Sequence, residues 1–71
     1  MTDTDKIRMR ISTNRLSHTW LIYQLRNRNI ETDKTEFSAI LAGTRKGAKA
    51  DLIIEAALDI LDHYELVAEQ F

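Results

Sequence analysis

Residues 33–49 read Asp33-Lys34-Thr35-Glu36-Phe37-Ser38-Ala39-Ile40-Leu41-Ala42-Gly43-Thr44-Arg45-Lys46-Gly47-Ala48-Lys49, and their punctuation decides the fold. Asp33 can accept the orphan N–H groups of a helix's first turn, and Glu36, three positions on, can reach back to the cap residue. Phe37, Ile40 and Leu41 fall at i, i+3 and i+4 and form one apolar face. Gly43 supplies the left-handed residue that ends a helix. The pattern predicts a helix over residues 34–42 and a basic loop over residues 43–49. The rest of the chain must supply the apolar surface that covers this helix.

Upstream, residues 17–28 predict a second helix, with Ser17 as its cap and Trp20, Leu21, Ile22 and Leu25 as a broad apolar face. Helices this short are marginal alone and need that face buried. Trp20 reads as a core or core-edge residue, or else as an exposed anchor. Tyr23 carries a hydroxyl that tolerates the surface and is available for contact. Arg26 and Arg28 sit where a helix C-terminus favours positive charge without any ligand. Asn27 and Asn29 are turn residues of the connection, and Ile30 is expected to return to the core. Residues 4–14 predict the first helix, capped by Thr4 or Asp3. Ile7 and Ile11 face inward, Met9 lies near the edge, and Lys6, Arg8 and Arg10 occupy other faces.

Downstream, residues 50–69 predict one long helix, or two separated near Asp62-His63. Leu52, Ile53, Ala56, Ala57, Ile60, Leu61 and Tyr64 follow helical spacing. The arc around Ile54, Leu58 and Leu61 is broader than one small core requires, so either extra core coverage or an oligomer surface fits it.

With 71 residues, the chain supports one small domain over residues 1–71, with residues 1–4 and 70–71 expected to fray. A domain of this size buries only about 60% of its unfolded surface. The absence of proline and cysteine, with two glycines, fits an all-α fold without disulfides or thiolate metal sites. No apolar run approaches the roughly 20 residues needed to span a membrane, and the polar start Thr2-Asp3-Thr4-Asp5 does not read as a signal peptide.

Net charge is −1, but its distribution is uneven. Residues 1–49 hold all ten basic side chains and five acids, whereas residues 50–71 hold six acids and no lysine or arginine. The halves are electrostatic opposites. Either the acids form a solvated helix face, or the molecule is polarised toward DNA or a charged partner.

The side chains argue against an enzyme. There is no thiol, and His18 and His63 read as structural or surface residues. Asp59, Asp62, His63 and Glu69 are too sparsely arranged for a metal site, and no cofactor motif occurs. The loop glycines do not have nucleotide P-loop spacing. Nucleic-acid recognition has a clearer basis: Lys34, Thr35 and Ser38 suit base edges at the start of a reading helix, while Thr44, Arg45, Lys46 and Lys49 suit phosphates. Against it, Glu36 and Ala39 lie on the outward part of that helix as read from sequence. No arginine falls within residues 33–41, although arginine on guanine is the commonest specific contact.

Residues 7–41, followed by Gly43-Thr44-Arg45-Lys46-Gly47, resemble the small repressor and Cro-like helix-turn-helix regulators of temperate bacteriophages. Asn14-Arg15-Leu16-Ser17 matches the turn before their second helix, Trp20-Leu21 and Leu25 match its apolar positions, and residues 33–43 match the recognition helix and its terminal glycine. The resemblance covers most of residues 5–62. It implies a compact four- or five-helix lambda-repressor-like domain in which Lys34, Thr35, Glu36, Ser38 and Ala39 face the major groove and Arg45 and Lys46 hold the backbone. Two departures stand out: Ile22 occupies a position usually held by a small residue, and the interval from Leu25 to Phe37 is about five residues longer than usual.

These departures make the chain resemble more narrowly the antirepressor, or modulator-of-repression, proteins of temperate phages of Gram-positive bacteria. That resemblance implies a regulator of the lysis–lysogeny switch in the cytoplasm of a bacterial host. Its partner would be the DNA-binding domain of the phage lysogeny repressor, contacted through Tyr23, Arg26, Arg28, Lys34, Thr35, Glu36 and Ser38. Glu36 would imitate a phosphate. Two alternatives stay open: an autonomous Cro-like repressor binding operator DNA as a weak homo-oligomer, and a helical interaction domain without a DNA role.

Overall fold

The computed structural model describes residues 2–69, which are all-helical with no strand among them. The elements are α1 (Asp3–Thr13), α2 (His18–Asn27), α3 (Lys34–Ala42) and α4 (Ala48–Ala68). Four helices therefore answer the sequence's four-or-five, because α4 runs unbroken through Asp62 and His63.

Side-chain caps open the first three helices. Ser17 Oγ accepts from the Trp20 N–H at 3.0 Å, and Asp33 Oδ1 accepts from the Glu36 N–H at 2.7 Å. The first helix begins earlier than its sequence implies. Thr2, not Asp3 or Thr4, is the cap, and a capping box joins its hydroxyl and N–H to Asp5. Residues 2–4 thus form a closed helix end where fraying was expected; Met1, Gln70 and Phe71, also expected to fray, lie outside the described residues.

The first three helices also close alike. At each end an i+5 bond brings the chain back: Leu16 N–H to the Ile11 carbonyl, Ile30 N–H to that of Leu25, and Thr44 N–H to that of Ala39, at 2.9–3.0 Å. The residue just before each donor is left-handed, with φ of 56° at Arg15, 63° at Asn29 and 82° at Gly43. Only Gly43 takes this conformation without a Cβ penalty. Leu16 and Ile30 follow their turns directly onto the core.

The core joins Ile7 and Ile11 of α1, Leu21, Ile22 and Leu25 of α2, Phe37, Ile40 and Leu41 of α3, and Ala50, Ile53, Ala57, Ile60 and Leu61 of α4. Both α1 and α2 pack on α3 and on α4, so the apolar face of residues 37–41 is covered from two sides. Ile22 is buried in the core despite its bulk. His18 meets Phe37 edge-on at 5.4 Å, and Trp20 meets Tyr64 edge-on at 5.3 Å across the α2–α4 seam. Leu52 departs from its expected place in the apolar face: it is 52% exposed, because the core-facing stripe of α4 runs through Ile53, Ala57 and Ile60 instead.

Candidate interaction surface

The surface built by α2, α3 and the loop after α3 gathers most of the sequence-predicted contact residues. Tyr23 stands 58% exposed on α2, with the Arg26 guanidinium over its ring at 5.6 Å from the centroid. Their spacing of three residues puts them on one helix face. On α3, Lys34, Thr35 and Ser38 are exposed, and Ala39 is half-buried. Lys46 is exposed on the loop and takes part in none of the ion pairs among the described residues.

Glu36 overturns its sequence reading in two ways. It does not reach back to its cap residue, and it does not point freely outward. Its side chain is only 12% exposed and is held at three points: Thr32 Oγ1 donates to it at 2.7 Å, Lys49 Nζ lies 3.0 Å away, and the Arg45 guanidinium lies 3.4 Å away. The Thr32 and Lys49 hydrogen bonds, with the charges of Lys49 and Arg45, hold its carboxyl below the usual carboxylate range against the opposing effect of desolvation. This also accounts for Thr32, the buried polar side chain, which no sequence pattern had singled out. Lys49 lies in the first turn of α4 rather than in the loop, so the expected loop over residues 43–49 ends at Gly47.

The consequence is electrostatic. Arg45 and Lys49, expected to hold phosphates, are paired with Glu36 while their own side chains stay exposed. Arg28 is likewise occupied, by Asp59 at 2.6 Å. The remaining unpaired cations among the expected contact residues are Arg26, Lys34 and Lys46. The exposed acids Glu31 and Asp33 lie among them, so the surface carries mixed charge around an aromatic side chain.

The acids of α4 do not simply form a solvated face either. Arg10 binds Asp62 at 2.6 Å and Glu65 at 2.8 Å, and Asn14 donates to the same Glu65 oxygen at 2.9 Å. Arg10 first, then Asn14, holds the Glu65 carboxyl below its ordinary range. The opposite charges of the two halves therefore meet partly within the fold. Among the described residues no group of three or more His, Cys, Asp or Glu is placed to hold a metal ion, and no helix is long and apolar enough to cross a membrane.

The geometry can present an aromatic ring, a guanidinium and short hydroxyl side chains to a macromolecular surface. Comparison with known proteins adds no relative to this picture: no protein-family model, no curated protein and no solved structure matches the chain.

Proposed function

We propose that the protein is a lambda-repressor-like helix-turn-helix regulator of a phage lysis–lysogeny switch. It acts as an antirepressor in the bacterial cytoplasm by binding the DNA-binding domain of a partner repressor through its α2–α3 surface. The observation that carries this reading is the clamp on Glu36. Glu36 pairs with Arg45 and Lys49, the expected phosphate-holding cations beside α3, and leaves Tyr23, Arg26, Lys34, Thr35 and Ser38 as contacts outside any such ion pair among the described residues. Exposed tyrosine and arginine are the side chains enriched at the centres of protein interfaces.

The clamp changes the chemistry of the contact. Glu36 acts as an internal counter-ion and not as a phosphate mimic. The fitting patch on the repressor therefore offers acceptors, such as carboxylates and carbonyls, to Arg26 and Lys34 and a pocket to Tyr23. The decisive measurement is titration calorimetry of the protein into the DNA-binding domain of the neighbouring repressor. A saturable complex is expected, and Tyr23→Ala should weaken it by about 2 kcal/mol, roughly thirtyfold. Absence of any complex by calorimetry and by sizing of the mixture would overturn the reading.

Arg26, Lys34 and Lys46 favour a second reading, an autonomous Cro-like repressor. It requires salt-dependent retention of one operator by the protein alone, tighter than retention of random DNA at moderate salt.

A further inference from the structure

We infer that the outer face of α4 is a second docking surface, one that takes a basic amphipathic helix of a protein partner. Two open grooves run along this helix, of about 550 and 460 Å³, and they share Glu55 and Leu58 as their common wall. Their apolar lining comes from Leu52, Ile54, Ala56 and Leu58. Leu52 gives up over half of its surface to solvent, although the buried stripe of the same helix lies one position away at Ile53. Ile54, Ala56 and Leu58 are partly buried against the core, which leaves Leu52 as the exposed large apolar side chain of the groove walls.

Charge identifies the occupant. Asp3, Asp51, Glu55, Asp59 and Asp62 line the two grooves, against Arg28 as the one lining cation. Arg28 is already paired with Asp59, and Asp62 with Arg10, while Asp3, Asp51 and Glu55 take part in no ion pair among the described residues. An apolar strip rimmed by unpaired carboxylates fits a helix with leucine-like side chains at i, i+3, i+4 and i+7 and lysine or arginine on its flanks. The strip from Leu52 to Asp62 is eleven residues of α4, about 15 Å from first to last, matching two to three turns of such a helix. The α2–α3 surface instead carries Tyr23 with the unpaired cations Arg26 and Lys34, so the two faces select different chemistry. This inference does not depend on the antirepressor reading.

The test uses fluorescence anisotropy with the whole protein at about 0.15 M salt, where long-range attraction is screened. The probe is a labelled synthetic 14-residue Leu/Lys peptide with leucine at helical spacing. A second peptide has the same composition in scrambled order. The ordered peptide should bind about tenfold more tightly than the scrambled one, and Leu52→Ser and Glu55→Lys should each weaken it about tenfold. Tyr23→Ala should leave it unchanged. Both α4 side chains lie outside the core, so circular dichroism should show both variants folded. Equal binding of the two peptides, or no binding, overturns the proposal. So does sedimentation showing a dimer of the protein that Leu52→Ser dissociates, because the face is then covered by a second copy.

Discussion

Two ion clusters in this molecule are mirror images. In one, a single acid, Glu36, lies between two cations, Arg45 and Lys49. In the other, a single cation, Arg10, lies between two acids, Asp62 and Glu65. The first ties the start of α3 to the start of α4 across a short loop, so its members meet at little cost in chain entropy. The second joins the last turn of α1 to the far part of α4, over more than fifty residues. The difference separates their roles. The Glu36 cluster mainly sets which charges the α2–α3 surface shows. The Arg10 cluster mainly fixes the last turns of a long helix that has few buried residues beyond Leu61.

The core beneath both clusters sets the scale. Phe37→Ala is expected to cost about 3–5 kcal/mol, a large share of the whole stability of so small a domain, and urea titration with circular dichroism measures it. Arg10→Ala should cost about 1–2 kcal/mol, since the guanidinium is only partly exposed and its removal leaves Glu65 with Asn14 as its remaining side-chain partner among the described residues. Hydrogen exchange should then rise first in the last turns of α4; a uniform rise along all four helices would erase the distinction between the clusters.

Acidification probes both sides at once. Glu36 and Glu65 have folded-state pKa values held below their unfolded ones, so their stabilisation is complete above the unfolded value of about 4.3 and is lost as pH falls through the folded values. Thermal midpoints should therefore stay level from pH 7 to about 5 and drop below it. Glu36→Gln and Glu65→Gln should each flatten that drop. Glu36→Gln should affect stability less than Arg10→Ala, and its main effect should be on the charge shown beside α3. Freeing Arg45 and Lys49 should raise non-specific DNA affinity and steepen its dependence on log salt by about 1–2. An unchanged salt slope would show that the two cations are not restrained by Glu36. The smallest expected effect is a gain: Arg15→Gly relieves a left-handed arginine, by about 0.5–1 kcal/mol in urea titration.

The sequence was most readable where local chemistry repeats a known period. Asp33, the Phe37–Ile40–Leu41 face and Gly43 delimit α3, and Ser17 opens α2, because capping and helical spacing act within a few residues. It was least readable where the outcome depends on two distant side chains. The Asp33–Glu36 spacing is the signature of a capping box, yet Glu36 prefers Thr32, Lys49 and Arg45 once the fold brings them near. The same holds for Arg28 with Asp59 and Arg10 with Glu65: the charge imbalance between the halves was visible, its partial cancellation was not. Asn29 was legible as a turn residue, whereas nothing in the residue type announces a left-handed Arg15.

The edge-on pair of Trp20 and Tyr64 equips the molecule with its own optical gauge. The indole is the sole tryptophan and spans the seam between α2 and α4. Its emission, sensitised by the neighbouring phenol, reports how closely those two helices are seated. A partner bound at the Tyr23 side and one bound along α4 each press on a different helix of that seam. Intrinsic fluorescence can therefore test both proposed encounters in unlabelled protein.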